Sequence, residues 1–376
     1  MKNIKQCKDM CCGCGSCAII CKKAAIEMLK DEHGFIYPKI NIEKCVDCGE
    51  CLKVCPVFKI EKAPDLDRAY YGWNYDENVR LKSSSGGVFS CLADKILEEN
   101  GVVFGAVYDF DKNIVKYNSS DEVELDNLRR SKYTESETGT IFVQVEENLK
   151  KGRKVLFCGT PCHIAGLKKF LSKEYENLIL CDFVCGGAAS PAFFQEHLEK
   201  LEIDNKSKVK KINFRDKKNG WKRMTFTVYF ENGRKKSTLS YFDSFFNGFI
   251  EGIIKRKNCF ECPFSDNHFS DITIADYWGY KSGGVEYDKK GISMIIVHSE
   301  NGKKIFETLE EKMYQKEMPA KNTKYTIKKR IFNQEKYNIR EEYFKLASEI
   351  GYEKAAKRTY MKSPLIDLIL GYLRIR

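Results

Sequence analysis

The feature that most constrains this chain is a pair of cysteine runs at its start. The first is Cys11-x2-Cys14-x2-Cys17-x3-Cys21; the second is Cys45-x2-Cys48-x2-Cys51-x3-Cys55, followed by Pro56. In this spacing three cysteines of one run hold a 4Fe–4S cubane and the fourth ligates the other. Cys11, Cys14, Cys17 and Cys55 are therefore assigned to one cluster, and Cys45, Cys48, Cys51 and Cys21 to a second. Zinc more often takes two separated C-x2-C knuckles, so the repeated eight-cysteine pattern argues against it. Lys22 stands where proline is usual, without loss of a ligand. Cys7 and Cys12 fall outside the frame and read as spare thiols.

Seventeen cysteines in 376 residues raise the possibility of a disulfide scaffold. That class needs a short chain and a signal peptide. Met1–Met10 is polar and leads straight into the first motif, so the expectation is a reducing cytoplasm. No apolar run approaches the length of a membrane span. With 43% apolar residues the chain is globular. The formal charge of +11 counts each cysteine as neutral; each bound cubane with four thiolates contributes about −2, bringing the total near neutral to mildly basic. Neither charge nor any aromatic-basic motif points to nucleic acid. The basic stretch Lys321, Lys324, Lys328, Lys329 and Arg330 reads as a solvated face.

The expected fold class is α+β to α/β: a ferredoxin-like module with two 4Fe–4S clusters, followed by a mixed α/β core. The expected divisions are residues 1–60 for the module, 66–155 and 156–300 for two parts of the core, and 301–376 for a helical, Lys-rich region. A charged linker, Glu61–Asp67, joins module to core. Strands are expected at Ala69–Trp73, Val102–Tyr108, Lys154–Phe157, Leu178–Val184, Asp271–Tyr277 and Ile292–His298. Helices are expected at Gly86–Asn100, Ile141–Lys151, Pro161–Leu171, from Pro191, and at Tyr241–Ile254. Antiparallel strands are expected within Val209–Leu239. An apolar stripe, Leu365, Leu368, Ile369, Tyr372 and Leu373, fits helix docking or a partner surface.

A second cysteine set lies in the core. Phe157-Cys158-Gly159-Thr160-Pro161-Cys162 joins a strand to a helix, with Thr160 as N-cap and Pro161 at the first helical position. Cys162 then sits in the first turn, where the helix dipole favours a thiolate. Cys185 ends the next strand, and strand C-termini are where α/β sheets bind ligands. Cys259 and Cys262-Pro263 add a C-x2-C knuckle. Together Cys162, Cys185, Cys259 and Cys262 suit a third 4Fe–4S cluster. Cys91, Cys158 and Cys181 read as core thiols. Ser84-Ser85-Gly86-Gly87 precedes a helix and presents bare N–H groups and hydroxyls, as a phosphate or flavin cradle does.

Six segments together resemble the coenzyme F420 hydrogenase/dehydrogenase beta-subunit family. They are Ser84–Gly87, Ser131-Lys132-Tyr133, Gly159–Cys162, Phe214-Arg215-Asp216-Lys217, the Cys259–Pro263 knuckle and Asp271–Gly279. The resemblance runs over about residues 1–280. It implies an iron–sulfur oxidoreductase that binds FAD; some members reduce the deazaflavin coenzyme, and others, such as hydroxymethyl chlorophyll a reductase, act elsewhere. Ser84, Ser85, Gly86, Gly87, Lys132, Tyr133, Thr160 and Asp276 are the expected cofactor contacts. Thr134-Glu135 stand where glutamine is expected in the family. Trp278 and Gly279 end a strand that suits a cofactor wall, and His163 is a candidate proton donor. The implied activity is electron relay between the clusters and FAD, with two-electron chemistry on a small organic substrate or a deazaflavin. A ferredoxin or another redox protein is the expected partner. The rival is an electron-transfer subunit serving a hydrogenase or dehydrogenase.

Overall fold

The computed structural model describes residues 2–63, 68–281 and 283–361, with the side chain of Tyr325 excepted. Most of the Glu61–Asp67 linker and the whole Leu365–Leu373 stripe lie outside them. The N-terminal module forms a hairpin, β1 (Ile26–Lys30) with β2 (Ile36–Ile40), and two single-turn helices, Ser16–Ile19 and Glu50–Lys53. Gly15 and Gly49 precede those helices at φ 76° and 78°, a left-handed turn that glycine adopts without strain.

The core is a nine-stranded sheet. Its strands are β3 (Arg68–Asn74), β4 (Val102–Asp109), β5 (Ile114–Ser119), β6 (Ser136–Glu137), β7 (Val155–Gly159), β8 (Leu178–Phe183), β12 (Ile272–Asp276), β13 (Ser293–Val297) and β14 (Met313–Met318). The order is β14-β3-β13-β12-β8-β7-β4-β5-β6. The central run β12, β8, β7, β4 is parallel, and antiparallel strands flank it on both sides. A second, antiparallel sheet holds β9 (Val209–Asp216), β10 (Thr225–Phe230) and β11 (Lys235–Leu239).

Alternation decides the faces. Val103, Leu156 and Ile179 point to one apolar cluster, with helices Val88–Glu98 and Glu300–Glu307 over it. Phe104, Phe157 and Leu180 point to the other, under helices Ile141–Lys150 and Pro161–Leu171. A parallel centre covered on both faces explains why those strands read as continuous apolar runs. A third cluster, rich in phenylalanine, joins β9–β11 to helices Pro191–Asn205, Ser244–Glu251, Gln334–Ile350 and Tyr352–Thr359.

Several expectations need correction. The region after residue 300 is not purely helical: β14 pairs with β3 at the sheet edge. Its sequence, MYQKEM, is buried at Met313 and Met318 and polar between them, without the alternation that marks a strand. β5 and β6 were not expected. The helix read over Tyr241–Ile254 spans only Ser244–Glu251, because Asp243 caps it through Phe246 N and Gly252 closes it at φ 80°.

Nor is the cysteine module set apart from the core. Phe35, at the start of β2, is fully buried in the phenylalanine-rich cluster. His33 O accepts from Ser190 Oγ at 2.7 Å and from Ala192 N at 3.2 Å. A Cβ on Gly34 would stand 2.7 Å from Ala192 N, so the hairpin turn is seated directly on the helix start.

One buried charge cluster ties the C-terminal helices down. His197 lies between Asp243 (3.1 Å) and Glu353 (2.5 Å), and Ser244 also donates to Glu353 at 2.8 Å. Burial alone would lower the His197 pKa; the two carboxylates overcome it and raise it to about 10. Asp243 and Glu353 are held below their ordinary range, His197 being the main lowering influence on each against a raising effect of burial. The histidine's contribution is complete below its unfolded value, near 6.5, and is lost as pH rises through about 10. The carboxylates' contribution is present above about 4 and is lost as pH falls through their depressed values. His197→Ala leaves two buried carboxylates facing each other and should cost about 3–5 kcal/mol. Thermal unfolding of the holoprotein should show a lower midpoint for the variant at pH 7, and a difference that shrinks toward pH 10; a midpoint unchanged at pH 7 would contradict this.

Candidate functional site

The carboxyl ends of β7, β8 and β12 point to one side of the sheet, and the core cysteines follow them. β7 ends at Gly159, where a Cβ would lie 2.7 Å from the Tyr117 hydroxyl. Thr160 has an extended backbone and Pro161 opens helix Pro161–Leu171, as expected. The expected side-chain cap is not made; the Thr160 hydroxyl instead lies 3.3 Å from Cys162 Sγ. Cys185 follows β8, and Cys259 and Cys262 bracket the end of a 3₁₀ turn, Lys257–Glu261. Cys162, Cys185, Cys259 and Cys262 line a single cavity of about 260 Å³, which Cys12 and Cys158 also reach. Gly187 N donates to Cys185 Sγ at 3.3 Å and Ala188 N to Cys259 Sγ at 3.5 Å. Such N–H···S bonds set the potential of a cluster held there. Burial raises Cys185 to about 12 and also raises Cys259 and Cys262, a cost that metal binding to the thiolates offsets.

Arg330 was expected on a solvated face. It turns inward, donating to Cys259 O at 2.6 Å and Cys185 O at 2.8 Å, and lines the cavity. A cation there would balance the charge of an anionic cluster held by the four core cysteines.

The same cavity extends to the other predicted contacts. Ser84, Ser85, Gly87, Lys132, Tyr133, Thr160 and Asp276 all line it; Gly86 does not. Gly86 N donates to Ser293 Oγ at 2.9 Å, and a Cβ there would meet Gly72 O at 2.5 Å, so its role is close backbone approach. Gly87 is the N-cap of helix Val88–Glu98 at φ 94°, with no side-chain cap. Ser84 Oγ accepts from Ser131 N at 2.9 Å, and Ser85 Oγ donates to Ile292 O at 2.9 Å. Lys132 Nζ is spent on the carbonyls of Asn127, Leu128 and Arg129, and burial, with Arg130 nearby, lowers its pKa to about 7. Asp276 holds Arg215 Nη1 at 2.8 Å and Trp221 Nε1 at 2.7 Å. Lys217 Nζ pins the Ser84–Gly87 loop by donating to Ser85 O at 2.6 Å and Arg80 O at 2.7 Å. His163 donates to or accepts from Tyr117 OH at 3.0 Å, and burial lowers its pKa to about 4, so it is neutral at pH 7. Trp278 stacks on Trp221, with ring centroids 4.8 Å apart.

In the module, Cys11, Cys14, Cys17 and Cys55 line one small cavity, together with Cys7 and Cys12. Cys51 feels the charges of Cys45 and Cys48, and Cys17 those of Cys51 and Cys55, which puts the two sets side by side. Cys48 is exposed. Ala25 N donates to Cys21 Sγ at 3.4 Å. Among the described residues no three His, Cys, Asp or Glu side chains converge on one point as a single ion needs. Cys12 is not a bystander. It lies beside both Cys14 and Cys162, and it forms part of the wall of both cavities. A Cβ on Gly166, in the helix that carries Cys162, would lie 3.0 Å from Cys14 Sγ.

Four side chains that matter here escaped sequence reasoning as site residues: Arg215, Arg256, Glu135 and Cys12. Arg256 and Glu135 form a fully buried pair at 2.8 Å. Arg256 also donates to Cys11 O and Ile36 O, each at 2.8 Å, and Glu135 accepts from Ile36 N at 2.9 Å. The sequence signals were Glu135 itself, a charge in place of the expected amide, and the place of Arg215 in a segment that carries the family resemblance.

Residues 152–323 match the family described as the C terminus of the coenzyme F420 hydrogenase/dehydrogenase beta subunit, and residues 10–59 match the 4Fe-4S dicluster domain. Among curated proteins the chain is similar to a coenzyme F420-dependent sulfite reductase of Methanocaldococcus jannaschii, at 23% identity over 325 residues. That alignment covers 81% of this chain and 46% of the relative, so the chain spans about half the relative's length. A chain of the F420-reducing NiFe hydrogenase complex from Methanosarcina barkeri aligns over 75% of this chain and 94% of its own. Its identity is 16% and the TM-score 0.48, a likeness too loose to carry an argument.

The cavity cysteines are testable by iron content. Anaerobically purified protein should hold about twelve iron atoms, and Cys259→Ser with Cys262→Ser should lower this to about eight, from the four atoms per cubane. Eight in both proteins, by iron and sulfide analysis, would exclude a cluster at the core set.

Proposed function

Because the chain joins a 4Fe–4S dicluster domain to a C-terminal domain of the coenzyme F420 hydrogenase/dehydrogenase beta subunit family, we propose that it is an iron–sulfur flavoprotein oxidoreductase. In this reading it relays single electrons from a ferredoxin-type partner through three 4Fe–4S clusters to FAD. The two-electron partner is a small organic substrate or a deazaflavin of the F420 type. The observation that carries the reading is one cavity lined both by the four core cysteines and by the Ser84–Gly87 loop.

The residues present fit a flavin. Gly87, at φ 94°, has Asn74 Cβ 3.1 Å from where its own Cβ would be, so a side chain would intrude on the loop. Ser84, Ser85, Lys132 and Tyr133 border the same space. When bound, FAD supplies the exchange between one-electron and two-electron chemistry. The chain's own side chains then have separable tasks. Ser85 and Lys217 fix the loop, and Asp276 fixes Arg215. Phe89, Phe249 and Phe264 give the cavity an apolar wall. His163, neutral and tied to Tyr117, is placed to hold a proton at Nδ1 or Nε2 beside Cys162.

The sulfurs suggest the electron route. It enters at exposed Cys48, passes from the second to the first cluster near Cys17 and Cys51, and crosses to the core at Cys12. One observation favours a second reading, an electron-transfer subunit without its own substrate that serves a hydrogenase or dehydrogenase: the match of residues 152–323 is to the C terminus of a beta subunit.

Heat-released extract of the anaerobically purified protein should contain FAD in about one equivalent. Gly87→Asp should abolish it while iron content stays at the wild-type value, because a side chain and a negative charge enter the loop. Protein that retains its clusters yet contains no flavin would refute the proposal. Deazaflavin reduction by a low-potential viologen dye, absent from the isolated chain and restored only with a partner subunit, would favour the second reading.

A further inference from the structure

Eight charged side chains line the large cavity, and seven of them spend their polar groups within the protein. Arg129 donates to Ser90 Oγ, Arg130 to Lys82 O, Lys132 to three carbonyls, and Arg330 to two cysteine carbonyls. Arg256 and Glu135 pair with each other, and Asp276 is filled by Arg215 and Trp221. Arg215 is the exception. Its residue is 6% exposed. Nη1 donates to Asp276 Oδ2 at 2.8 Å and to the Tyr133 hydroxyl at 3.1 Å, but Nη2 is buried with no partner. Among the described residues it is the one such buried side-chain atom on this cavity's lining.

A buried guanidinium N–H without an acceptor is costly and is retained where a ligand supplies the oxygen. The fixing of Arg215 is elaborate. Asp276 stands at the end of β12 and Arg215 near the end of β9, in the other sheet, so two sheets cooperate to fix one guanidinium in the lining of the cavity. The Asp276 carboxylate compensates most of the guanidinium charge. What remains is a directed donor of modest net charge, better matched to an oxygen that gains charge during the reaction than to a diphosphate carrying about two charges throughout. The surroundings are flat and apolar: Tyr133, Phe249, Ile274 and Ala275 line the same cavity.

We propose that Arg215 Nη2 binds a ring carbonyl oxygen of a tricyclic redox cofactor, flavin or deazaflavin, and stabilises the anion formed on its reduction. The inference rests on the flavin reading above. Two electrons from the clusters and one proton from solvent reduce the oxidised ring to a reduced ring with one negative charge, delocalised onto that oxygen; without the cation the ring keeps a second proton up to a higher pH. Arg215 thus favours the reduced ring and lets two-electron reduction proceed with one proton.

The test is a redox titration of the holoprotein's flavin band across pH 6–9, in wild type, Arg215→Gln and Arg215→Lys. Wild type should show one proton per two electrons. In Arg215→Gln the break from two protons to one should move up by about one pH unit, and the reduced ring should be preferred over the oxidised about tenfold less at pH 7, the scale of one charge-assisted hydrogen bond. Arg215→Lys, which keeps the charge, should restore the one-proton slope. If Arg215→Gln emerges without flavin while Arg215→Lys retains it with the one-proton slope, the need for the cation is equally supported. Arg215→Gln that holds flavin with the wild-type slope and potential overturns this inference and leaves the flavin reading intact. Loss of flavin from both variants at full iron content overturns it too, because shape and not charge would then be what the site requires. Wild type with its clusters but no flavin overturns both.

Discussion

The contact on which the arrangement depends is the buried pair of Arg256 and Glu135. Neither residue belongs to the cysteine module, yet between them they bond to its backbone at Cys11 O, Ile36 O and Ile36 N. Arg256 also lies 3.8 Å over the ring of Tyr37. A buried ion pair adds little net stability, since desolvation cancels much of the attraction, but removing one partner leaves the other charge stranded. The pair therefore acts as a latch with a defined register. It sets the first cysteine loop against the helix carrying Cys162, and only in that register does Cys12 reach both sulfur sets. Its charge also serves the sulfurs directly: Arg256 stabilises the thiolate forms of Cys11, Cys14, Cys162 and Cys259.

Much of the fold was legible because its signals are local. A parallel strand buried on both faces is a short apolar run, and β7 and β8 are such runs. Pro161 and Pro191 mark helix starts by backbone chemistry alone. The cysteine spacing is local too. What escaped is non-local. β14 reads as a weak, half-polar strand, and only pairing with β3 makes it one. The inward turn of Arg330 depends on carbonyls that lie 71 and 145 residues away in sequence. The Glu135 substitution looked like a loss of a cofactor contact, since its compensating cation, Arg256, lies 121 residues on. Cys12 looked spare because the frame of its own run was complete without it.

The family motifs acquire separate physical meanings once placed. In Phe214-Arg215-Asp216-Lys217, alternation along β9 sends successive side chains to different tasks. Phe214 packs in the phenylalanine-rich cluster, and Arg215 reaches Asp276. Asp216 caps the following turn through Lys218 N, and Lys217 pins the Ser85 loop. In Asp271–Gly279, Asp271 anchors β8 by accepting from Leu180 N at 2.7 Å, while Asp276 fixes Arg215. The two motifs thus meet at a single carboxylate, and a change at Asp276 disturbs both Arg215 and Trp221.

A relay of the proposed kind would have to satisfy two opposed demands. Its carriers must lie close enough to exchange electrons, and its anionic clusters must not repel one another or let water in. The first demand is met by folding the module onto the core, so that Gly166, lacking a side chain, admits Cys14 against the helix that carries Cys162. The second would be met by a cation whose hydrogen bonds go to backbone oxygens rather than to a carboxylate, as Arg330 grips the carbonyls of Cys185 and Cys259. A guanidinium held by carbonyls keeps its full charge, whereas one held by a carboxylate is largely neutralised. Arg330 is of the first kind, facing sulfurs whose charge would be permanent. Arg215 is of the second kind, facing a space where charge would appear only on reduction. That division explains why the cavity needs both.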